Sequence, residues 1–258
     1  MLIVLSPAKS LDYKTLVKVK NPTLPDFIQE SAKLITDLKK LAPQEVAKLM
    51  GLSDQLATLN VGRYRDWSKK FTEENSKPAI YAFDGDVYDG FDVKTLKEKS
   101  VEFAQNHIRI LSGLYGTLRP LDLMQPYRLE MGTSFKNPKG KDLYAFWGSQ
   151  VTDSLKAVLE EQKNPWLLNL ASEEYFKVVQ AKDLGCPVIS PIFQDAKAGK
   201  YKIISFYAKR ARGLMARYCV ENRIKNVVDL QGFDLDGYQY CASESKENKP
   251  VFRREERK

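Results

Sequence analysis

The sequence predicts a mixed α/β protein, because short apolar runs alternate with helical patterns along its 258 residues. Leu2–Leu5, Ile108–Leu111 and Trp166–Leu170 are short and rich in aliphatic residues, as buried strands are. Between such runs, apolar residues of 151–159 recur at the i, i+4, i+7, i+8 spacing of one helix face. Four further runs are predicted to be strands on the same grounds: Ala79–Phe83, Pro187–Phe193, Ile203–Tyr207 and Tyr238–Cys241.

Composition excludes a membrane span and wholesale disorder. The mean hydropathy is −0.42 and no 18-residue apolar run occurs, while 11% of the residues are aromatic. Met1–Leu5 is followed at once by Ser6-Pro7, so it is expected to open a buried strand rather than a secretory signal. Three widely spaced cysteines predict no disulfide framework and therefore a cytoplasmic location.

The chain is predicted to form one domain over residues 1–258, since no repeat and no Pro/Gly/Ser-rich linker divides it. Residues 25–75 are expected to form a helical subdomain within it. Ser31–Leu41 has one apolar face, Pro43 is suited to the first turn of a second helix, and Asp54 begins a third.

The connection between the second and third of these helices has a recognisable sequence pattern. Residues 46–57 resemble the helix–hairpin–helix pattern of non-specific DNA-binding proteins, with Ser53 in place of the second hairpin glycine. A tight turn presents backbone N–H groups to phosphate at the N-terminus of the next helix, and bases such as Lys48 flank it. In the alternative interpretation, Gly51 ends one helix and Ser53 caps the next.

Positive charge is concentrated near the C-terminus. Lysine and arginine number 41 against 33 acids, for a net charge of +8, and residues 200–225 carry eight bases against the single acid Glu221. Residues 207–224 are predicted to form an amphipathic helix with its bases around one side. That side binds phosphate in one interpretation and is a solvated outer face in the other.

Common catalytic and cofactor motifs are missing from the sequence, so no cofactor and no metal site is predicted. His107 is the single histidine, which nearly excludes the usual Cys/His zinc sites, and no G-x-G-x-x-G, Walker or G-x-S-x-G motif occurs. The Asp-rich segment 83–90 lacks the glutamate of a calcium-binding loop and is interpreted as a turn, with a site for a hard cation such as Mg²⁺ as the alternative.

Polar residues at predicted strand ends and in the segment 111–130 favour a second kind of function. We expect these side chains to converge on one crevice, where an enzyme would act on a phosphorylated or nucleotide-like molecule. Alternatively, the arginines pair with neighbouring acids and pin the loop. The candidate catalytic residues are Lys9, Asp84, Asp86, Arg119, Arg128 and Glu130.

Five long segments carry a family resemblance. They are Ser6–Tyr13 (SPAKSLDY), Ser112–Gly132 (SGLYGTLRPLDLMQPYRLEMG), Leu143–Gly148 (LYAFWG), Asn169–Lys177 (NLASEEYFK) and Lys202–Tyr218 (KIISFYAKRARGLMARY). Together they resemble, in the same order, the YaaA family of bacterial peroxide-stress proteins. The resemblance implies a cytoplasmic protein that limits damage from intracellular iron and hydroxyl radicals. It also implies a single-domain fold with a helix–hairpin–helix element and a positively charged cleft.

The resemblance further implies that the partner is double-stranded DNA, bound without marked sequence preference. Carried onto this chain, the expected DNA-binding residues are Lys48, Gly51, Leu52, Ser53, Lys209, Arg210, Arg212 and Arg217. The sequence thus leaves a DNA-binding stress protein as the leading hypothesis, with an enzyme as the alternative. A small anionic ligand is a second candidate partner, and no membrane is expected.

Overall fold

The computed structural model describes residues 1–256. Its α-helices are α1 (Ile28–Leu38), α2 (Pro43–Met50), α3 (Asp54–Asp66), α4 (Ala79–Ala82), α5 (Asp86–Phe91), α6 (Glu98–His107), α7 (Leu143–Trp147), α8 (Gln150–Glu160), α9 (Glu173–Phe176) and α10 (Ser205–Glu221). Its strands are β1 (Leu2–Leu5), β2 (Ser10–Leu11), β3 (Lys77–Pro78), β4 (Phe83–Asp84), β5 (Ile108–Ser112), β6 (Gly116–Leu118), β7 (Leu123–Met124), β8 (Leu167–Leu170), β9 (Val188–Ile189), β10 (Ile192–Lys197), β11 (Lys200–Lys202), β12 (Tyr238–Tyr240) and β13 (Val251–Arg254). The mixed α/β class is confirmed.

A five-stranded sheet in the order β6-β5-β1-β8-β9 lies at the centre. β5, β1, β8 and β9 are parallel, and β6 returns antiparallel beside β5. In β1, Leu5 pairs with Ile110 on one side and with Leu170 on the other. All four residues of β1 are fully buried, which accounts for their uninterrupted apolar sequence.

A second sheet, ordered β11-β10-β13-β12, is built largely from the C-terminal third of the chain. Its core is aromatic, with Phe193 stacked on Phe252 and in edge contact with Phe233. The same strands bury an ion pair, in which Arg254 of β13 lies 2.6 Å from Asp195 of β10. Burying these charges without a partner would be costly, so the pair fixes the register of β10 against β13.

Helices α5 and α10 approach each other so closely that two positions have no room for a side chain. A Cβ at Gly213 would lie 1.8 Å from the carbonyl oxygen of Val87, and a Cβ at Gly90 would lie 2.2 Å from that of Arg210. Glycine at both positions therefore allows the backbone of each helix to occupy the space that a side chain of the other would fill.

The region predicted to be helical, residues 25–75, contains α1, α2 and α3. α1 buries Leu34, Ile35 and Leu38, and Pro43 opens α2 as expected. Ser53 caps α3, accepting the Leu56 N–H at 3.4 Å. That these helices form a subdomain of one domain spanning residues 1–258 stays a prediction.

Two predicted strands are wrong and a third is divided. Ala79–Phe83 is mainly the short helix α4, and Ile203–Tyr207 leads into α10, which begins at Ser205. A short apolar run fits a buried turn of helix as well as a buried strand, and here the helix forms. Pro187–Phe193 contains β9 and the start of β10 rather than one strand.

Two exclusions made from composition have a structural counterpart. Within residues 1–256, no helix is both long enough and apolar enough to cross a bilayer. Cys186, Cys219 and Cys241 are all free thiols.

Candidate ligand-binding cleft and nucleic-acid interface

A cleft of about 480 Å³ opens where β1 and β8 end. β1 runs into Ser6-Pro7, and β8 runs into Ser172, whose backbone N–H donates to Ser6 Oγ at 2.8 Å. From β1 the chain proceeds to β5 on one side, and from β8 it proceeds to β9 on the other side. The gap between β1 and β8 is therefore a topological switch point of the sheet. Open α/β sheets bind ligands at such a switch point, beside the carboxyl ends of the strands.

Charges of both signs line the cleft. Three of the residues predicted for a crevice, Lys9, Asp84 and Asp86, are brought together there. Lys209 and Arg212 of α10 complete the set of cations, and Lys209 Nζ lies 3.9 Å from a carboxylate oxygen of Asp86. Glu174 also lines the cleft, so the three cations and three carboxylates of the lining leave no net formal charge.

Arg128 and Glu130 border the cleft rather than line it. Glu130 binds Lys9 at 3.0 Å and Arg128 at 3.1 Å, in a small hollow that shares Lys9 and Tyr175 with the cleft. The Nε atom of Arg128 is buried and has no hydrogen-bond partner within residues 1–256. The predicted pairing of this arginine with the neighbouring acid is therefore present beside the cleft.

The structure places Arg119 away from these residues. Its guanidinium binds Asp122 at 3.0 Å and Asp26 at 3.2 Å and donates to the carbonyl of Leu24 at 2.7 Å. These contacts hold the loop before β7 in place. For Arg119, the alternative interpretation of the sequence, in which the arginine pairs with a neighbouring acid, is therefore the one observed. Arg119 is not part of the crevice.

The close packing of α5 and α10 sets the positions of the cleft cations. Lys209 and Arg212 are on α10 next to the residues that contact α5, and Asp86 begins α5. Tyr88 of α5 faces the cleft and donates to the carbonyl of Ser6 at 2.9 Å, which ties α5 to the end of β1. Burial raises the pKa of the Tyr88 phenol, so it remains a neutral donor.

Three cleft residues were not selected from the sequence. They are Tyr88, Tyr175 and Ser172, which all form part of the lining. Ser172 does cap α9, but its side chain also meets Ser6 Oγ at 3.3 Å. The signal that could have found these residues is their place directly after the predicted strands.

The turn between α2 and α3 is exposed. Gly51 has a left-handed conformation with φ of 62°, and Ser53 caps α3. In the described part of the chain, no backbone carbonyl or side chain accepts from the amides of Ser53, Asp54 or Gln55. Lys48 at the end of α2 is exposed and forms no ion pair in that range. The carboxylate of Asp54 opposes an anion here.

The cations of α10 differ in how many contacts with carboxylates and carbonyl groups they already form. Arg210 lies 3.9 Å from Asp236, a distant pair that leaves its side chain exposed to solvent. Arg217 is half-buried, donates to the carbonyls of Phe91 and Asp92, and binds Glu221 at 2.8 Å. Arg217 therefore holds α10 to the end of α5, unlike its exposed neighbours.

No group of three or more His, Cys, Asp or Glu side chains that could hold a metal ion is found among residues 1–256. His107 lies at the end of α6, where its ring stacks on Phe103 at 3.8 Å and its Nδ1 contacts the carbonyl of Phe103 at 2.8 Å. Burial lowers the pKa of its imidazole, which favours the neutral ring.

Comparison with known proteins decides the family. The family profile described as "Peroxide stress protein YaaA" matches residues 1–244. The chain belongs to the YaaA family. Among the relatives of this chain, a UPF0246 protein of Polynucleobacter necessarius is 84% identical over 258 residues, covering 100% of both chains. Another from Polynucleobacter asymbioticus is 80% identical over the same span. A UPF0246 protein of Ralstonia nicotianae is 60% identical over 98% of this chain and 99% of its own.

Proposed function

We propose that this chain is a cytoplasmic peroxide-stress protein that binds double-stranded DNA without sequence preference. In the same proposal, it limits damage from intracellular iron and hydroxyl radicals. The observation that carries the DNA-binding part is the exposed α2–α3 turn, with left-handed Gly51 and free amides at the start of α3. We interpret this turn as the helix–hairpin–helix element. Its N–H groups and the dipole of α3 attract a backbone phosphate.

A chain of contacts links this turn to the cleft. Tyr64 of α3 lies with its hydroxyl 4.0 Å from the Met50 sulfur and donates to the carbonyl of Arg128. Arg128 binds Glu130, which binds Lys9 at the cleft. The hairpin and the cleft are thus joined through the protein by a series of contacts, and in this proposal one duplex spans the turn and the α10 cations.

The cations expected to contact DNA are those whose charge faces solvent or the cleft. Lys48 is exposed beside the turn, and Lys209 and Arg210 are exposed on α10. Arg212 reaches the cleft lining. Arg217 is expected to contribute less, because its guanidinium is bound by backbone carbonyls and by Glu221. Such contacts confer affinity without reading sequence.

Alanine at Lys209, Arg210 and Arg212 together is expected to weaken DNA binding and to flatten its salt dependence. Binding of a random-sequence duplex is measured over a salt series, and log K is plotted against log salt concentration. Each phosphate neutralised contributes about −0.9 to the slope, so loss of three contacts reduces it by roughly 2 to 3.

The matched control removes three lysines elsewhere on the protein, with the same loss of charge. Lys163 precedes β8, and the Lys225 carbonyl accepts from Trp166 just before that strand, at the end away from the cleft. Lys182 lies in the segment before β9, and all three lysines are exposed and outside the cleft lining. Alanine at these three positions is expected to leave the slope within about 1 of the parent value. Equal slopes in both triple variants would remove α10 from the interface.

The stress function is tested in cells that lack the protein. We expect the parent chain to restore survival under hydrogen peroxide, and the Lys209/Arg210/Arg212 alanine variant to restore no more than an empty vector. The Lys163/Lys182/Lys225 variant serves as the control and is expected to restore survival. Full rescue by the α10 variant at equal protein level would separate protection from DNA binding.

A further inference from the structure

We propose that the cleft between β1 and β8 binds a small phosphate monoester that also carries hydroxyl groups, with Arg212 as the principal phosphate-binding side chain. The class includes sugar phosphates and nucleoside monophosphates. The site lies at the switch point of the sheet, and its volume of about 480 Å³ is within the range of small-molecule sites. This inference does not depend on DNA binding.

Arg212 is a cation without a partner. It is half-buried in the cleft wall, yet its guanidinium donates no hydrogen bond and forms no ion pair within residues 1–256. Burial lowers its pKa, and Glu173 opposes this only through longer-range attraction. A partly desolvated charge is costly when unpaired, so an anion that reaches Arg212 gains a strong, charge-assisted contact. The planar guanidinium suits the paired oxygens of a phosphate.

Lys209 supplies a second positive charge one helical turn before Arg212. Its Nζ is 3.9 Å from Asp86, beyond hydrogen-bond distance, so the ammonium is free to turn toward a ligand. The two cations on one face of α10 match the two negative charges of a phosphate monoester, which competes with Asp86 for Lys209. Lys9 is less available because Glu130 holds it at 3.0 Å.

The carboxylate of Asp84 suits hydroxyl groups rather than anions. The Asp84 carboxylate is exposed to the cleft and has no hydrogen bond or ion pair among the described residues. A carboxylate accepts hydrogen bonds from sugar hydroxyls and repels a second phosphate. Tyr88 and Val87 add apolar surface beside it. The cleft thus offers cations to a phosphate and a free carboxylate to the hydroxyl groups of the same molecule.

The cleft is held in shape before any ligand binds. The contacts of Gly213 and Gly90 lock α10 to α5, and Tyr88 ties α5 to Ser6 at the end of β1. The Ser172 amide bound to Ser6 Oγ ties β8 to the same point. A site that is already formed loses little free energy to ordering when it binds its ligand.

Thermal unfolding in the presence of defined compounds tests the proposal. The probes are AMP, GMP, CMP, UMP, ribose 5-phosphate, inorganic phosphate and adenosine. At least one monoester is expected to raise the Tm by roughly 5–10 °C at about 100 times its Kd. Adenosine, which lacks the phosphate, and inorganic phosphate, which lacks the hydroxyl-bearing part, are expected to give much smaller shifts.

Arg212→Gln is expected to raise the Kd of the active compound at least about tenfold. Arg223→Gln is the matched control, because Arg223 is exposed, lies beyond the end of α10 and carries the same charge. The Tm of each variant without ligand checks that both fold. Unchanged Kd in Arg212→Gln, equal shifts with inorganic phosphate and the monoesters, or no shift with any monoester would each overturn the proposal.

Discussion

Replacing Arg254 by methionine is expected to lower the free energy of unfolding by about 3–5 kcal/mol, since it leaves a buried carboxylate unpaired. The side chains of Asp195 and Arg254 are 4% and 5% exposed and meet at 2.6 Å. Tyr238 also donates to Asp195 at 3.0 Å, and Arg254 reaches Asp236 at 2.6 Å. The Arg254 guanidinium lies 4.6 Å from the ring centres of Tyr207 and Tyr238. These contacts join β10, β12 and β13 to the start of α10.

The neighbouring arginine provides the control for this experiment. Arg253 is 25% exposed and lies 3.3 Å from Glu244, so Arg253→Met is expected to cost about 1 kcal/mol or less. Urea unfolding with an unchanged m-value measures both. Replacing Asp195 by leucine in the Arg254→Met background should recover much of the loss, because the unpaired charge is then gone. A cost below about 1 kcal/mol for Arg254→Met would contradict the account.

Gly213→Ala is expected to destabilise the protein by about 3 kcal/mol or more, above the usual range for an overpacked core. The added Cβ would lie 1.8 Å from the carbonyl oxygen of Val87 and 2.8 Å from the amide nitrogen of Phe91. Both are backbone atoms, so no side chain can rotate away and the two helices must separate. Because Arg212 and Lys209 are on the same helix, ligand binding at the cleft should weaken as well.

Gly62→Ala is the matched control, because Gly62 is inside α3 and has no atom within 4 Å of an added Cβ. Alanine is the better helix former by about 1 kcal/mol, so this change should stabilise the protein. Opposite signs for the two substitutions in the same unfolding experiment attribute the loss at Gly213 to helix contact. If both substitutions changed the free energy of unfolding in the same direction, the loss at Gly213 could not be attributed to the contact between α5 and α10.

The sequence predicted those parts of the fold whose pattern is local. β1 is buried on both faces and is a continuous apolar run, while Ile108–Leu111 and β8 are apolar except for Arg109 and Asn169. Ala79–Phe83 has the same pattern but forms a helical turn, because local composition does not specify the neighbours that pack against it. The order of the strands in the sheet could not be predicted from the sequence either, because β1 pairs with segments more than a hundred residues away.

For the candidate site, position after a strand was the informative feature. Lys9 follows β1 and Asp84 ends β4, and both line the cleft as predicted. Arg119 is also a charged residue near a strand, but it does not line the cleft, because Asp122, three residues later, binds its guanidinium. Arg212 was selected from the sequence as a DNA-binding residue, but its lack of a hydrogen-bond partner could not be predicted, since it depends on how α10 packs against α5.

The central position of β1 has a consequence for synthesis. Ile3 is translated long before its partners Ile108 and Leu168 exist. At roughly 5–20 residues per second, the first partner strand follows on the order of 5–20 seconds later. During this interval the strand has two uncovered edges and an apolar surface, the features that nascent-chain chaperones protect and that aggregation exploits. Final closure of the sheet must wait for most of the chain to leave the ribosome, so long-range pairing should limit the folding rate.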